Sequence, residues 1–195
     1  MRSDQSGETH ADFAFPRSYE IQERYELPGS GRSEIPTFYI PAPRFRIEHD
    51  GLWVTVRPSN GQKWTGVFAY GYDEPPGISR IMSSPDPDSF IVISKGAAYL
   101  VGADNPNRWE QLPVFPVTDV VASEKHNILV FADFSKLVAY GPSGLRWKTS
   151  LLCPDSLKIV SVDCDSIGGT GYDPGSDTGT ANFVVDLDTG ADRLV

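Results

Sequence analysis

"FIVISKGAAYLVGADNPNRWEQLPVFP" (90–116) lies without a gap over "ILVFADFSKLVAYGPSGLRWKTSLLCP" (128–154). Val92 meets Val130, Tyr99-Leu100-Val101 meets Leu137-Val138-Ala139, Arg108-Trp109 meets Arg146-Trp147, and Pro116 meets Pro154. With one residue deleted in the turn, "ISRIMSS" (78–84) also lies over "VTDVVAS" (117–123). Identities are few, but apolar positions and chain breaks fall in step. A period near 40 residues, with four short strands in each unit, is the sequence mark of a β-propeller blade.

A third unit follows. "LKIVSVD" (157–163) takes the place of the first strand, and "ANFVVDLDTGADRLV" (181–195) that of the third strand, turn and fourth strand. Gly144 and Gly190 fall at the same place in the turn, and "CDSIGGTGYDPGSDTGT" (164–180) reads as an insertion. From residue 37 on, "TFYI", "RFRIE", "LWVTV" and "WTGVFAY" are short β-branched and aromatic runs, and the segment from about 45 to 76 is expected to be a fourth, less regular unit. Asn60-Gly61 is expected to turn a hairpin between two of them. Residues 1–12 are polar and expected to be loose, 27–36 to be a linker, and 18–27 to be a strand available to complete the last unit.

The bulk composition agrees. Sixteen prolines and eighteen glycines among 195 residues cut the chain into short extended pieces, because proline removes a backbone donor and is excluded from helix interiors. "FIVI" and "ILVF" are continuously apolar instead of alternating, as in strands covered on both faces. The expected fold is therefore all-β, with propeller-like antiparallel β repeats, three to four blades of about 40 residues, and an N-terminal arm. In domain terms, residues 1–36 are arm and linker and 37–195 a single propeller-like domain. The two tryptophans are expected to cover a neighbouring blade's edge, and the arginines before them to be ordinary solvated charges.

These residues resemble the repeats of the quinoprotein-like and WD40-like propellers. "LVAYGPSGLRWKTSL" (137–151) looks like the strand–turn–Gly–x–x–Trp element of quinoprotein-type blades, and "FVVDLDTGADRLV" (183–195) looks like the same element with Arg193 in place of the Trp. The resemblance covers residues 78–195 and implies a fold. No calcium- and quinone-binding set can be matched residue by residue, so no cofactor is expected.

Charge narrows the function classes. A net charge of -9 disfavours sequence-independent nucleic-acid binding, which relies on Lys and Arg neutralising phosphates. It suits solubility or a basic partner. No apolar run reaches bilayer-spanning length, so no membrane association is expected. With no apolar leader at the N-terminus and only Cys153 and Cys164, the expected location is cytoplasmic.

Several motifs invite chemical readings. "LDTGAD" (187–192) resembles the Asp-Thr-Gly motif of aspartic proteases, in which paired carboxylates share a proton and Asp188 would be catalytic. The polar turn between two outer strands explains the same residues, since Asp and Gly are what a turn requires. "GPSGL" (141–145) lacks the final glycine of a nucleophile elbow, and His10, His49 and His126 have no companion Ser or Cys in a relay.

"DCDSIGGTGYDPGSD" (163–177) gathers Asp163, Asp165, Asp173 and Asp177 in a loop, the oxygen ligands that calcium takes. An EF-hand register from Asp163 fails at Ile167 and Pro174, and a solvated acidic turn is the commoner role. The four remain the metal candidates. "YGYDEPPG" (70–77) places two tyrosines and an acidic pair before a rigid Pro-Pro stop. Tyrosines on rigid loops offer contact area at low entropy cost, so Tyr70, Tyr72, Asp73 and Glu74 are the partner-binding candidates.

The expected function is a non-catalytic interaction or scaffold protein with a protein partner, a basic one by charge, and with homo-oligomers as a second kind of partner. The alternative is a small-ligand-binding or hydrolytic propeller that uses acidic loop residues. A fold of this kind hosts both.

Overall fold

The computed structural model describes residues 10–23, 34–43, 48–59, 61–72 and 77–194; among these there is no helix. The fold is all-β. It divides into two compact units, Met1–Pro113 and Val114–Val195.

In the first unit the strands run β1 (His10–Asp12), β2 (Tyr19–Glu23), β3 (Thr37–Ile40), β4 (Gly51–Pro58), β5 (Trp64–Ala69), β6 (Arg80–Ser83), β7 (Ser89–Ser94), β8 (Ala97–Gly102) and β9 (Trp109–Gln111). β6–β9 form an antiparallel meander in chain order, the blade-like repeat read from residues 78–116. The tight β7–β8 turn is Lys95-Gly96, both at positive φ (45° and 81°), which suits the right-handed twist of the flanking strands. β1 adds to the meander in parallel, pairing His10 with Arg80 and Asp12 with Met82. The expectation of a loose segment over 1–12 is thus corrected at residues 10–12, which take up the free edge of β6.

The second sheet has the order β2-β4-β5-β3. Its middle is an ordinary antiparallel hairpin, but β3 runs parallel to β5 and β2 pairs antiparallel with β4. Tyr19–Glu23 therefore completes this sheet, which corrects the expectation that 18–27 would finish the last unit. Asn60 and residues 44–47 of the expected "RFRIE" strand lie outside the described residues. The two sheets share one core. Val54, Val56, Trp64 and Phe68 pack with Phe90, Val92, Tyr99 and Val101. Phe68 sits 6.4 Å from the Phe90 ring and 5.8 Å from that of Tyr99.

In the second unit the strands are β10 (Asp119–Ser123), β11 (Ile128–Ala132), β12 (Leu137–Gly141), β13 (Gly144–Lys148), β14 (Asp155–Val162), β15 (Ser166–Tyr172), β16 (Thr180–Asp186) and β17 (Asp192–Leu194). They make two four-stranded meanders in chain order, β10–β13 and β14–β17. Ile128, Val130 and Ala132 of the first pack with Ile167, Phe183 and Val185 of the second. The supposed insertion at 164–180 is corrected: it holds the second strand of its sheet, β15, with the β15–β16 turn after it. Glycine-rich "SIGGTGY" carries none of the apolar run found in β7 and β11, so it reads as a loop.

The Arg-Trp pairs have different tasks. Trp147 is nearly buried; its indole Nε1 donates to the Leu187 carbonyl at 3.0 Å, just past the third strand of the next sheet. Arg146 donates to Asp188 at 2.6 Å in the same turn. Arg108 instead stays in its own sheet, reaching Asp104 at 3.2 Å and the Asp88 carbonyl at 3.2 Å, while Trp109 packs edge-on against Tyr99. Both arginines thus stay about half exposed, as solvated charges do, and each also pairs with an acid. A further indole, Trp64, repeats the Trp147 device: its Nε1 donates to the Ala103 carbonyl at 2.8 Å, thirty-nine residues on.

Candidate functional site

The segment after β5 is clamped along the tip of the β7–β8 hairpin. The Gly71 amide donates to the Ser94 carbonyl at 3.0 Å and the Tyr72 amide to the Lys95 carbonyl at 2.6 Å. A Cβ at Gly71 would lie 2.7 Å from that of Ala97 and 2.8 Å from the Lys95 carbonyl oxygen, so only glycine permits this approach. The Tyr99 hydroxyl donates to the Ala69 carbonyl at 3.1 Å, holding the strand end from below. On this support Tyr70 and Tyr72 remain 42% and 39% exposed. The Lys95 ammonium lies 4.2 Å from the centre of the Tyr70 ring, a cation–π contact. Asp73 and Glu74 lie outside the described residues. The two tyrosines thus share one rigid rim, held by a backbone contact that no local pattern in "YGY" announces.

The four aspartates proposed as metal ligands are not gathered in one loop. β15 separates them: Asp163 and Asp165 precede it, Asp173 and Asp177 follow it, and seven extended residues span ~20 Å. Asp173 accepts from the Gly175 amide at 2.8 Å, closing its own turn. Among the described residues, no group of three or more His, Cys, Asp or Glu is placed to hold a metal ion.

Asp165 instead joins two turns of the second unit. It pairs with Lys125 of the β10–β11 turn at 2.5 Å and accepts the Cys164 thiol at 3.1 Å. The Lys125 ammonium, then the Cys164 thiol, hold its carboxyl down to about 2. His126 Nε2 lies 3.0 Å from the Cys164 carbonyl, which only accepts, so Nε2 carries the proton. His126 does sit at the hairpin tip, as its sequence suggests, but it is tied to the neighbouring sheet as well. The Asp165 carboxylate raises the Cys164 thiol's pKa, disfavouring the thiolate a nucleophile needs. This corner of Lys, His, Cys and Asp is a fastening between turns. Spacing did not reveal it, because its members lie about forty residues apart.

The Asp-Thr-Gly stretch is a turn organised by Asp186. Its carboxylate accepts the Thr189 hydroxyl at 2.7 Å and the Thr189 amide at 2.8 Å, and these bonds lower its pKa. Asp188 is taken by Arg146. Gly190 has φ +71°, and a Cβ there would sit 2.7 Å from Trp147 Cδ2. The glycine is required by the indole lying over it.

No protein-family model matches the chain, and no curated protein matches it. Solved structures do show likeness. One is dihydro-heme d1 dehydrogenase NirN in complex with DHE, 20% identical with a TM-score of 0.47, over 76% of this chain and 33% of that one. Another is a protein described as TolB from Agrobacterium tumefaciens, 18% identical with a TM-score of 0.32, over 60% of this chain and 44% of that one. A third is the N-terminal domain of Nup159, 9% identical with a TM-score of 0.34, over 96% of this chain and 70% of that one. The chain thus spans from 33% to 44% of the length of the first two.

Proposed function

We propose that this chain is a non-catalytic protein-interaction module of quinoprotein-like or WD40-like repeats. Its contact segment is the rim Tyr70 and Tyr72, with Asp73 and Glu74 following, and its partner is a basic protein. The carrying observation is the pair of tyrosines left exposed on a backbone that Gly71 locks against the β7–β8 hairpin. Exposed apolar side chains on a rigid support lose little entropy on binding, and tyrosine is among the residues that dominate interface energetics. The net charge of -9 favours encounter with a basic surface. Among the described residues, the two carboxylates with a displaced pKa, Asp165 and Asp186, move downward, the direction opposite to that of a general acid.

The test is purification of the tagged protein from its native source, with mass in solution measured and co-eluting species identified. A stoichiometric partner released by salt is expected. The double variant Tyr70→Ala/Tyr72→Ala should weaken its binding by about 30-fold or more, the level of one hot-spot residue. A partner retained in full by the double variant, or a lone monomer at low salt, would overturn the reading.

A further inference from the structure

We propose that the face of the β2-β4-β5-β3 sheet turned away from its core holds a small oxyanion, a carboxylate or a phosphate, between Arg57 and Lys63. This site is separate from the tyrosine rim and stands without it. A cavity of about 270 Å³ opens on that face, lined by Glu20, Ile21, Gln22, Thr55, Arg57 and Lys63. The register explains the grouping. Gln22 pairs with Thr55 and Thr55 with Thr65, so these three lie in one row across the sheet. Glu20 pairs with Arg57, and one step beyond the last β4–β5 pair, Val56 with Trp64, Arg57 comes opposite Lys63.

Like charges directly opposite on neighbouring strands repel. Glu20 offsets this only in part: its Oε2 pairs with Arg57 Nη1 at 3.8 Å, an exposed ion pair without a short charge-assisted hydrogen bond. The remaining N–H groups of the guanidinium fork can take a planar oxyanion in competition with Glu20, and Lys63 supplies a second cation. The next row adds a donor. Thr55 and Thr65 are buried, and their hydroxyls meet each other at 3.3 Å. One contact uses one of the two hydroxyl hydrogens, and the other has no acceptor among the described residues. Two cations, a spare hydroxyl hydrogen and the Gln22 amide thus converge on one hollow in a chain of net charge -9. Among the described residues, Glu20 is the one opposing charge that lines it.

The experiment is a titration of the ¹⁵N-labelled full chain with sodium phosphate, and separately with sodium acetate, at constant ionic strength set by chloride. The amides of Gln22, Thr55, Arg57 and Lys63 should move along one saturable curve. Saturation by both ions assigns a general carboxylate-and-phosphate site, and saturation by phosphate alone assigns phosphate. Arg57→Gln and Lys63→Met should each weaken binding by about tenfold, as expected for loss of one charge-assisted contact. Glu20→Gln should tighten it a few-fold, a gain that a misfolded variant would not show. Unchanged resonances elsewhere in the spectrum report that each variant is folded. The proposal fails if shifts are linear in both ions, if they lie away from these amides, or if Glu20→Gln leaves the affinity unchanged.

Discussion

β11 and β15 occupy the same place in two adjoining sheets of one unit, yet one reads "ILVFA" and the other "SIGGTGY". Every residue of β11 is buried. In β15 burial alternates: Ile167, Gly169 and Gly171 face the core, while Ser166, Gly168 and Thr170 are half-buried and Tyr172 is exposed. The difference is one of coverage, since β11 is enclosed on both faces and β15 on one. A second difference lies within the buried face. β11 fills its side with its own branched chains, whereas β15 is hollowed by glycine and filled from elsewhere. A Cβ at Gly169 would overlap the Phe183 ring and the Lys158 carbonyl, and one at Gly171 would overlap Cys153 Sγ. The same core density is reached by moving volume from the strand to its neighbours.

The two faces of β15 give the sharpest way to break that account. Gly169→Val drives a branched side chain into Phe183 and into backbone, and should cost about 3 kcal/mol or more, at the upper end of overpacking. Gly168→Val, one residue away on the open face, meets chiefly the rotatable Ser161 hydroxyl, and should fall within about 0.5 kcal/mol of wild type. Urea unfolding of both variants checks the pair. Equal losses would mean that β15 is not one-sided.

The tryptophan device ranks next. Gly190→Ala forces a side chain onto the Trp147 indole at positive φ, and should cost about 2 kcal/mol. Trp147→Phe loses the bond to the Leu187 carbonyl, and should cost about 1–2 kcal/mol. Because the two residues touch, the double variant should lose less than the two single losses added. Strict additivity in the thermal midpoints would separate the glycine from the ring.

These contacts show where the sequence was legible. Repeats with continuous apolar strands, 78–116 and 117–154, stood out because twofold burial leaves a pattern that survives with few identities. The Lys95-Gly96 hairpin and the four-residue turn at 133–136 differ in length, so the gapless overlay is two residues out of register at the second strand and in register at the third and fourth, where Val101 pairs with Trp109 as Ala139 does with Trp147. β15 escaped notice, because a strand that receives its neighbours' volume has lost its own apolar signature. β2 and β3 were legible as strands but not in their pairing, since parallel addition of β3 and edge addition of β2 depend on distant residues. The candidate tyrosines could be picked out by type alone. The reason they stay rigid, Gly71 against Ala97 and Lys95, is a tertiary contact.

The turns that precede β11 and β15 carry the smallest test. Lys125 and Asp165 tie them together, and Asp165 is held near 2 rather than its ordinary 3.8. Between these values the unfolded chain binds a proton that the folded one does not, so stability falls as pH drops. The contribution is complete above about pH 4 and fades as pH falls through about 2. Both partners are exposed, so the effect is small and weakens with salt. Thermal midpoints measured at low salt from pH 5 to pH 2 should fall less steeply in Asp165→Asn than in wild type. Asp186, also lowered, keeps a residual slope in the variant. Parallel curves would mean that the ion pair does not fasten the two sheets. The two sheets would then be held by the Ile128–Ile167–Phe183 core and by the Trp147–Leu187 and Arg146–Asp188 contacts.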